Sequence, residues 1–281
     1  MPAVSREEQA GAEPLAAIVE AARGGDRHAL ERVVLAVQDD VFGLALRMTA
    51  CPEDARDACQ EILVKVVTRL DSFRGESSVR TWAYRIAVRH LLDRKKSRVE
   101  ALTTSFERFG DDLLEGLAAP EVDDPLVVEE VKLGCTLAML TCLDREHRLA
   151  YVLGEVFDLP HREAADLCDV SEDAYRQRLS RARRALESFT ESFCGLVSER
   201  APCRCDARVS RAVELGRVER GRPRLAHAAA REATREMESL VDVARLMRSH
   251  PRYRAPEDVA RGVRDALDGA APRILGAPSA R

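Results

Sequence analysis

The sequence predicts an all-α protein, with two helical domains joined by an acidic linker and a small helical extension at the C-terminal end. Three observations carry this. Apolar residues recur at three- and four-residue spacing along most of the chain, and the alternation of a half-buried strand is missing. Aromatics make up only 4% of the residues, whereas Ala, Leu, Arg and Glu abound. At 281 residues the chain exceeds one typical domain, so two or three are expected. No apolar run approaches the ~20 residues of a membrane span, and the N-terminus lacks a basic-plus-apolar signal. The expected location is therefore cytoplasmic, without a membrane partner. There the eight cysteines read as reduced thiols or metal ligands rather than disulfides. The net charge of −4 says little, because opposite local charges cancel.

In chain order, 1–14 is small and polar and reads as a flexible leader. A first helix covers Leu15 to Ala22, Gly24-Gly25 ends it, and Asp26 caps the next. Leu30, Val33, Val34, Val37, Val41, Leu44, Ala45 and Met48 continue the helical pattern to about Thr49. Cys51-Pro52 breaks it, and a third helix begins at Asp54. That helix buries Ala58, Ile62, Leu63, Val66 and Leu70, leaving Asp57, Gln60, Glu61, Lys65 and Arg69 outward. Cys51 and Cys59 read as small apolar fillers.

Phe73 to Ser78 is a short turn-rich loop, with Ser77 or Ser78 as N-cap of a helix running from Val79 to about Lys96. Val79, Trp82, Ala83, Ile86 and Ala87 form one apolar stripe, and Tyr84, Val88 and Leu91 a second. From Asp71 to Arg98, eight Arg/Lys stand against three Asp/Glu. An aromatic, polar loop leading into a basic helix suits single-stranded nucleic acid, because arginines hold phosphates and aromatics stack on unpaired bases. A buried core Trp and a merely solvated cationic face are the plainer alternatives.

Taken together, Asp54 to Glu61, Leu70 to Gly75 and Thr81 to Ala87 resemble the promoter-melting domain of extracytoplasmic-function (group IV) sigma factors of the sigma-70 family. These subunits direct bacterial RNA polymerase to promoters. The match is collinear and reaches back to about Leu15, which is far more specific than any single motif. The resemblance implies that 15–98 is sigma region 2, with core polymerase and promoter DNA as partners. It places Asp57, Gln60 and Glu61 on the polymerase. It places Arg74, Glu76, Ser77, Ser78, Arg80, Thr81, Trp82, Arg85 and Arg89 on −10 DNA, where one base leaves the duplex for a pocket at a cost of a few kcal/mol. Arg89 stands where relatives often carry Asn, so the preferred −10 base is open.

Between Ala101 and Glu130 there are nine Asp/Glu against one Arg, interrupted by Gly110, Gly116, Pro120 and Pro125. This reads as a flexible, extended acidic linker, assigned to 99–126. In the family such linkers thread the polymerase cleft, which an acidic segment suits by mimicking nucleic acid.

A second domain, 127–192, starts with a helix from Val131 to Leu143 and another from Leu143 to about Phe157. Leu159 to Ser171 then has helix-turn-helix form, with Cys168-Asp169 at the turn and Ser171 capping a helix from Glu172 to about Glu187. Tyr175, Leu179, Ala182 and Leu186 face inward on it, whereas Arg176, Gln177, Ser180, Arg181 and Arg184 face outward. That split is what a recognition helix needs. The domain resembles sigma region 4, which implies −35 contacts from Arg176, Gln177, Ser180 and Arg181. The family's usual Gly-Thr-Val start is replaced by Asp173-Ala174-Tyr175, so a different −35 sequence is expected.

The final segment, 193–281, is a Cys-containing helical extension. Cys194, Cys203 and Cys205 fall within twelve residues. A C-x-C pair plus a third thiol fits zinc, or copper(I) as a soft metal, with Arg200, Arg204 and Arg208 favouring thiolates. No cofactor is required for the reading. His227 or Cys168 is the candidate fourth ligand, and a purely structural turn is the alternative. The extension resembles the Cys-rich tails of some sigma factors of this group, among which metal-responsive members occur. Further helices are expected at 209–215, from Glu232 to Arg248, and from Asp258 to Leu267. Such a tail is expected to dock on the DNA-binding domains and restrain them.

No Gly-rich phosphate loop, Ser/His/Asp ordering or H-E-x-x-H occurs, so a non-enzymatic protein is expected. An anti-sigma factor is a further candidate partner. The alternative is a helix-turn-helix regulator with a metal-sensing C-terminal domain, which would footprint its operator without polymerase.

Overall fold

The computed structural model describes residues 15–95, 99–100, 105–115, 124–215, 217–225 and 242–274. Among them every regular element is helical apart from one isolated bridge between Cys194 and Cys203. The described residues group into two compact units, one drawn from 1–45, 53–94 and 253–281, the other from 46–52 and 95–252. The stretch after 193 therefore divides, with 193–252 in the second unit and 253 onward in the first. No described helix is long and apolar enough to cross a membrane.

The first unit contains α1 (Leu15–Arg23), α2 (Arg27–Thr49, up to Ala45), α3 (Pro52–Thr68, from Glu53), a 3-10 turn (Leu70–Ser72) and α4 (Val79–Asp93). Asp26 Oδ1 accepts from the amides of His28 at 2.8 Å and Ala29 at 3.2 Å, capping α2 as its sequence predicts. The helix after it starts at Pro52, two residues before the expected Asp54, because Pro lacks the N–H that a first turn leaves unused anyway. Val33, Val37, Val41 and Leu44 of α2 are buried, as are Ala58, Ile62, Leu63 and Val66 of α3 and Val79, Trp82, Ala83 and Ala87 of α4.

The second unit is built on α5 (Phe106–Leu114), α6 (Pro125–Thr141), α7 (Arg145–Tyr151), α8 (His161–Leu167), α9 (Glu172–Phe193), α10 (Val209–Glu214) and α11 (Val243–Arg248). The expected extended linker thus holds a helix, α5. Ser105 caps it by accepting from the Arg108 amide at 3.3 Å. Phe106, Phe109 and Leu113 recur at helical spacing, with Phe109 and Leu113 buried. Phe189 of α9 receives Phe106 and Phe109 at centroid distances of 5.1 and 5.6 Å. Gly110 is needed there: a Cβ would come within 2.7 Å of Phe193. The acidic composition described the solvent side and concealed this apolar face.

α6 starts at Pro125, earlier than expected, with Asp124 accepting from the Leu126 amide at 3.1 Å. The helix after it widens into a π turn over Val152–Val156. At that point Tyr175 Oη donates to the Ala150 carbonyl at 2.9 Å, and Gly154 lets Tyr175 and Leu179 approach closely. Of the predicted helix from Glu232 to Arg248, Val243–Arg248 is described as helix; its Met237, Leu240 and Val241, like His227 and the leader, lie outside the described residues. The last helix, α12 (Glu257–Ile274), belongs to the first unit and runs beyond the expected Leu267.

Candidate nucleic-acid interface

In the first unit, the loop after α3 is anchored from α1. Arg23 Nε donates to the Leu70 carbonyl at 3.2 Å, Nη2 donates to the Phe73 carbonyl, and the guanidinium lies 6.0 Å from the Phe73 ring. Phe73 turns inward and packs on Trp82, with ring centroids 5.5 Å apart. Gly75 has φ +74°, the left-handed conformation that a side chain disfavours, and it starts the bend at 75–77 that leads into α4. Ser78, not Ser77, caps α4: its Oγ accepts from the Thr81 amide at 3.0 Å and meets Thr81 Oγ1 at 2.8 Å.

These contacts sort the nine predicted −10 residues. Arg74, Glu76, Ser78, Arg80, Arg85 and Arg89 are exposed, Ser77 and Thr81 are half-buried, and Trp82 is buried. Arg80 Nε is held 2.6 Å from Asp40 Oδ2 on α2. Arg85 and Arg89 lie one turn apart on the outer face of α4, with no acidic partner among the described residues. Phe73 and Trp82 therefore support the surface, and the surface itself is cationic.

The three residues expected to meet polymerase lie on α3. Asp57 is exposed beside Arg56, whose Nη2 lies 3.1 Å from Asp57 Oδ1. Glu61 is exposed, 3.4 Å from His90 Nε2 and 3.5 Å from Arg94 Nη1. Gln60 is half-buried, with its amide against Gly262 of α12.

In the second unit the helix-turn-helix is formed by α8 and α9. Asp169, at φ +55°, makes the turn, a conformation Asp tolerates better than most residues. The Val170 amide returns to the Ala165 carbonyl at 3.2 Å, and Ser171 Oγ caps α9 through the Ala174 amide at 3.2 Å. Tyr175, Leu179, Ala182 and Leu186 are buried, as the sequence pattern predicts. Arg178 pairs with Glu146 at 2.7 Å, and Arg183 pairs with Glu155, so these two arginines lock α9 to its own unit. Arg176, Gln177 and Arg181 are exposed, while half-buried Ser180 accepts from Arg184 Nη2 at 3.2 Å. Arg176 is steadied by Glu172 and by Asp173 at 3.5 Å.

After α9, the isolated bridge sets Cys194 beside Cys203: the Cys203 amide donates to the Phe193 carbonyl at 3.2 Å and the Gly195 amide to the Cys203 carbonyl at 3.1 Å. Cys205 packs with Val127 and Val131 of α6 against Val209. Sequence reading missed Cys135, which follows Val127 and Val131 at four-residue spacing on α6. Burial, then the Cys203, Cys194 and Cys205 thiols, push its pKa well up. Burial likewise raises Cys203 to about 11 and Cys205 to about 12. The expected activation by arginine is outweighed, since Arg204 is spent on the carbonyls of Ala201, Cys203 and Glu199, and Arg208 on Asp112 at 3.2 Å and the Glu115 carbonyl. Among the described residues, no group of three or more His, Cys, Asp or Glu side chains is arranged to hold a metal ion. Cys168 sits apart, in the helix-turn-helix corner.

Comparison with known proteins matches two family models, Sigma-70 region 2 over residues 33–100 and Sigma-70, region 4 over residues 133–186. The chain is 29% identical over 179 residues to the RNA polymerase sigma-H factor of Pseudomonas aeruginosa, covering 60% of this chain and 90% of that one. It is 29% identical over 177 residues to the ECF RNA polymerase sigma-E factor of Escherichia coli strain K12, covering 61% and 91%. The sigma-E factor of Salmonella typhi matches at the same identity. The two cationic helix faces fall in the two matched regions, and the chain belongs to the extracytoplasmic-function group of the sigma-70 family, as an RNA polymerase sigma factor for promoter-specific transcription initiation.

Proposed function

We propose that this sigma factor holds its promoter at two points and melts it at one. Arg74, Glu76, Ser77, Arg85 and Arg89 meet the −10 element, with Ser78, Thr81, Arg80 and Trp82 fixing the loop and helix that carry them. Arg176, Gln177, Ser180 and Arg181 meet the −35 element. Core polymerase docks on Asp57, Gln60 and Glu61. The chain makes and breaks no bonds; binding energy alone offsets the few kcal/mol of unstacking.

The observation that carries the reading is the pair of exposed cationic helix faces, each backed by a buried apolar stripe that fixes its direction: Arg85 and Arg89 over Trp82 and Ala83, and Arg176 and Arg181 over Tyr175 and Leu179. Run-off transcription with purified core polymerase tests it. Transcript is expected only with the chain present, and Arg85→Ala with Arg89→Ala should abolish open complexes while sparing polymerase binding. Unchanged transcription by that double variant would contradict the −10 assignment. An anti-sigma factor is a proposed partner for the same surfaces.

A second proposal concerns zinc or copper(I) at Cys194, Cys203 and Cys205. The bridge that aligns Cys194 with Cys203 supports it, and Cys205 follows two residues later. Elemental analysis of the metal-loaded full chain should give one metal per chain, lost in Cys203→Ser. Absence of metal after loading would end this reading.

A further inference from the structure

α12 lies on the same α3 face that carries the proposed polymerase contacts. Gly262 is the point of closest approach: a Cβ there would stand 2.5 Å from Gln60 Nε2, so the helix backbone rests directly on that amide. Val259 and Val263, one turn apart on the same side, are each 1% exposed. The approach is steered by polar contacts on both sides. The Ala255 amide donates to Asp39 Oδ1 at 2.9 Å, Asp258 lies 3.8 Å from Arg56, and Arg264 lies 3.1 Å from Glu31.

From this geometry we infer that α12 and core polymerase compete for one surface, so that residues 253–274 act as a built-in cover over Gln60. The inference rests on the reading of Asp57, Gln60 and Glu61 as polymerase contacts. The attachment is suited to release. Its ion pairs are solvent-exposed, where such pairs contribute little. Among the described side chains its apolar anchor is small, made of Tyr253, Ala255, Val259 and Val263, and an open cleft lined by Leu30, Val34, Val67, Ala260 and Val263 runs beside it. Segments with few buried contacts are those that open first. While α12 is docked, apparent affinity for polymerase falls by the fraction of molecules left open.

The test uses the full chain and titrates purified core polymerase. Val259→Asp with Val263→Asp should release α12 and tighten apparent binding by about tenfold or more, the factor for a cover closed ten times as often as open. Gly262→Trp, which keeps both valines but brings a side chain too large to be admitted by a rotation of Gln60 alone, should act in the same direction. If both variants bind like the parent while Gln60→Arg still weakens binding, the cover is refuted and the polymerase site stands. If Gln60→Arg together with Asp57→Arg and Glu61→Arg leaves binding unchanged, the polymerase site itself is refuted.

Discussion

Phe73 and Trp82 meet at a ring-centroid distance of 5.5 Å and an interplanar angle of 58°, and both side chains are buried. This pair ties the loop before α4 to the core, so that Arg74 and Glu76 are presented outward by a fixed turn. Trp82→Ala should therefore destabilise the first unit by about 3–5 kcal/mol, the usual effect of deleting a buried aromatic, and Trp82→Phe by less. Because Trp82 is the single tryptophan, unfolding is followed by circular dichroism in urea.

The arginines of α9 divide by direction. Arg176→Ala and Arg181→Ala should each weaken binding to −35 DNA by about 1–3 kcal/mol, as expected for loss of a base-edge or phosphate contact. Arg178→Ala should leave DNA affinity unchanged and lower stability by no more than about 1 kcal/mol, because that side chain is committed to Glu146 at 2.7 Å. Gel shifts with holoenzyme on −35 variants separate the two groups.

Arg148 and Glu100 form a buried pair at 2.7 Å, with side chains 3% and 4% exposed. The guanidinium also donates to the carbonyls of Leu140 at 2.9 Å and Leu143 at 3.0 Å, closing the C-terminal end of α6. Glu100→Ala leaves a buried cation without its counter-charge and should cost roughly 3–5 kcal/mol in chemical denaturation. Glu100→Gln, which retains an acceptor, should cost less.

Acid should weaken the fold through two histidines. His250 is held well below the ordinary 6.5 by burial and then by Arg47, and its Nε2 meets Thr136 Oγ1 at 2.7 Å. His90 is lowered by burial and then by Lys65, whose Nζ lies 2.7 Å from Nδ1. Both folded-state values lie below the unfolded one, so below about pH 6.5 the unfolded chain binds more protons. Stability is complete above that pH and declines as pH falls. His250→Gln, which can still reach Thr136, should flatten the fall in melting temperature between about pH 6.5 and 5.

Local patterns were legible in the sequence wherever one helix decides its own fate. Asp26 and Ser171 cap helices as read, and the buried faces of α3 and α9 follow the apolar spacing. What stayed hidden depends on partners distant in the chain. α5 was concealed because nine acidic residues dominate the composition around it, and its apolar face acquires meaning only against Phe189 and Phe193. Arg23 anchors a loop 47 to 50 residues away, and nothing around Arg23 announces it. Among the arginines of α9, sequence could not distinguish Arg178 and Arg183, which turn back to Glu146 and Glu155, from exposed Arg176 and Arg181. Cys135 is 59 residues from Cys194 and lies outside any cysteine motif.

Permanganate probing of unpaired thymines, on a promoter selected by the purified holoenzyme, bears on the whole assignment. Reactive thymines near −10 are expected when chain and core polymerase are present together, and with neither component alone. Protection of a duplex site by the chain without polymerase, and no thymine reactivity with it, would identify a free-standing helix-turn-helix regulator instead.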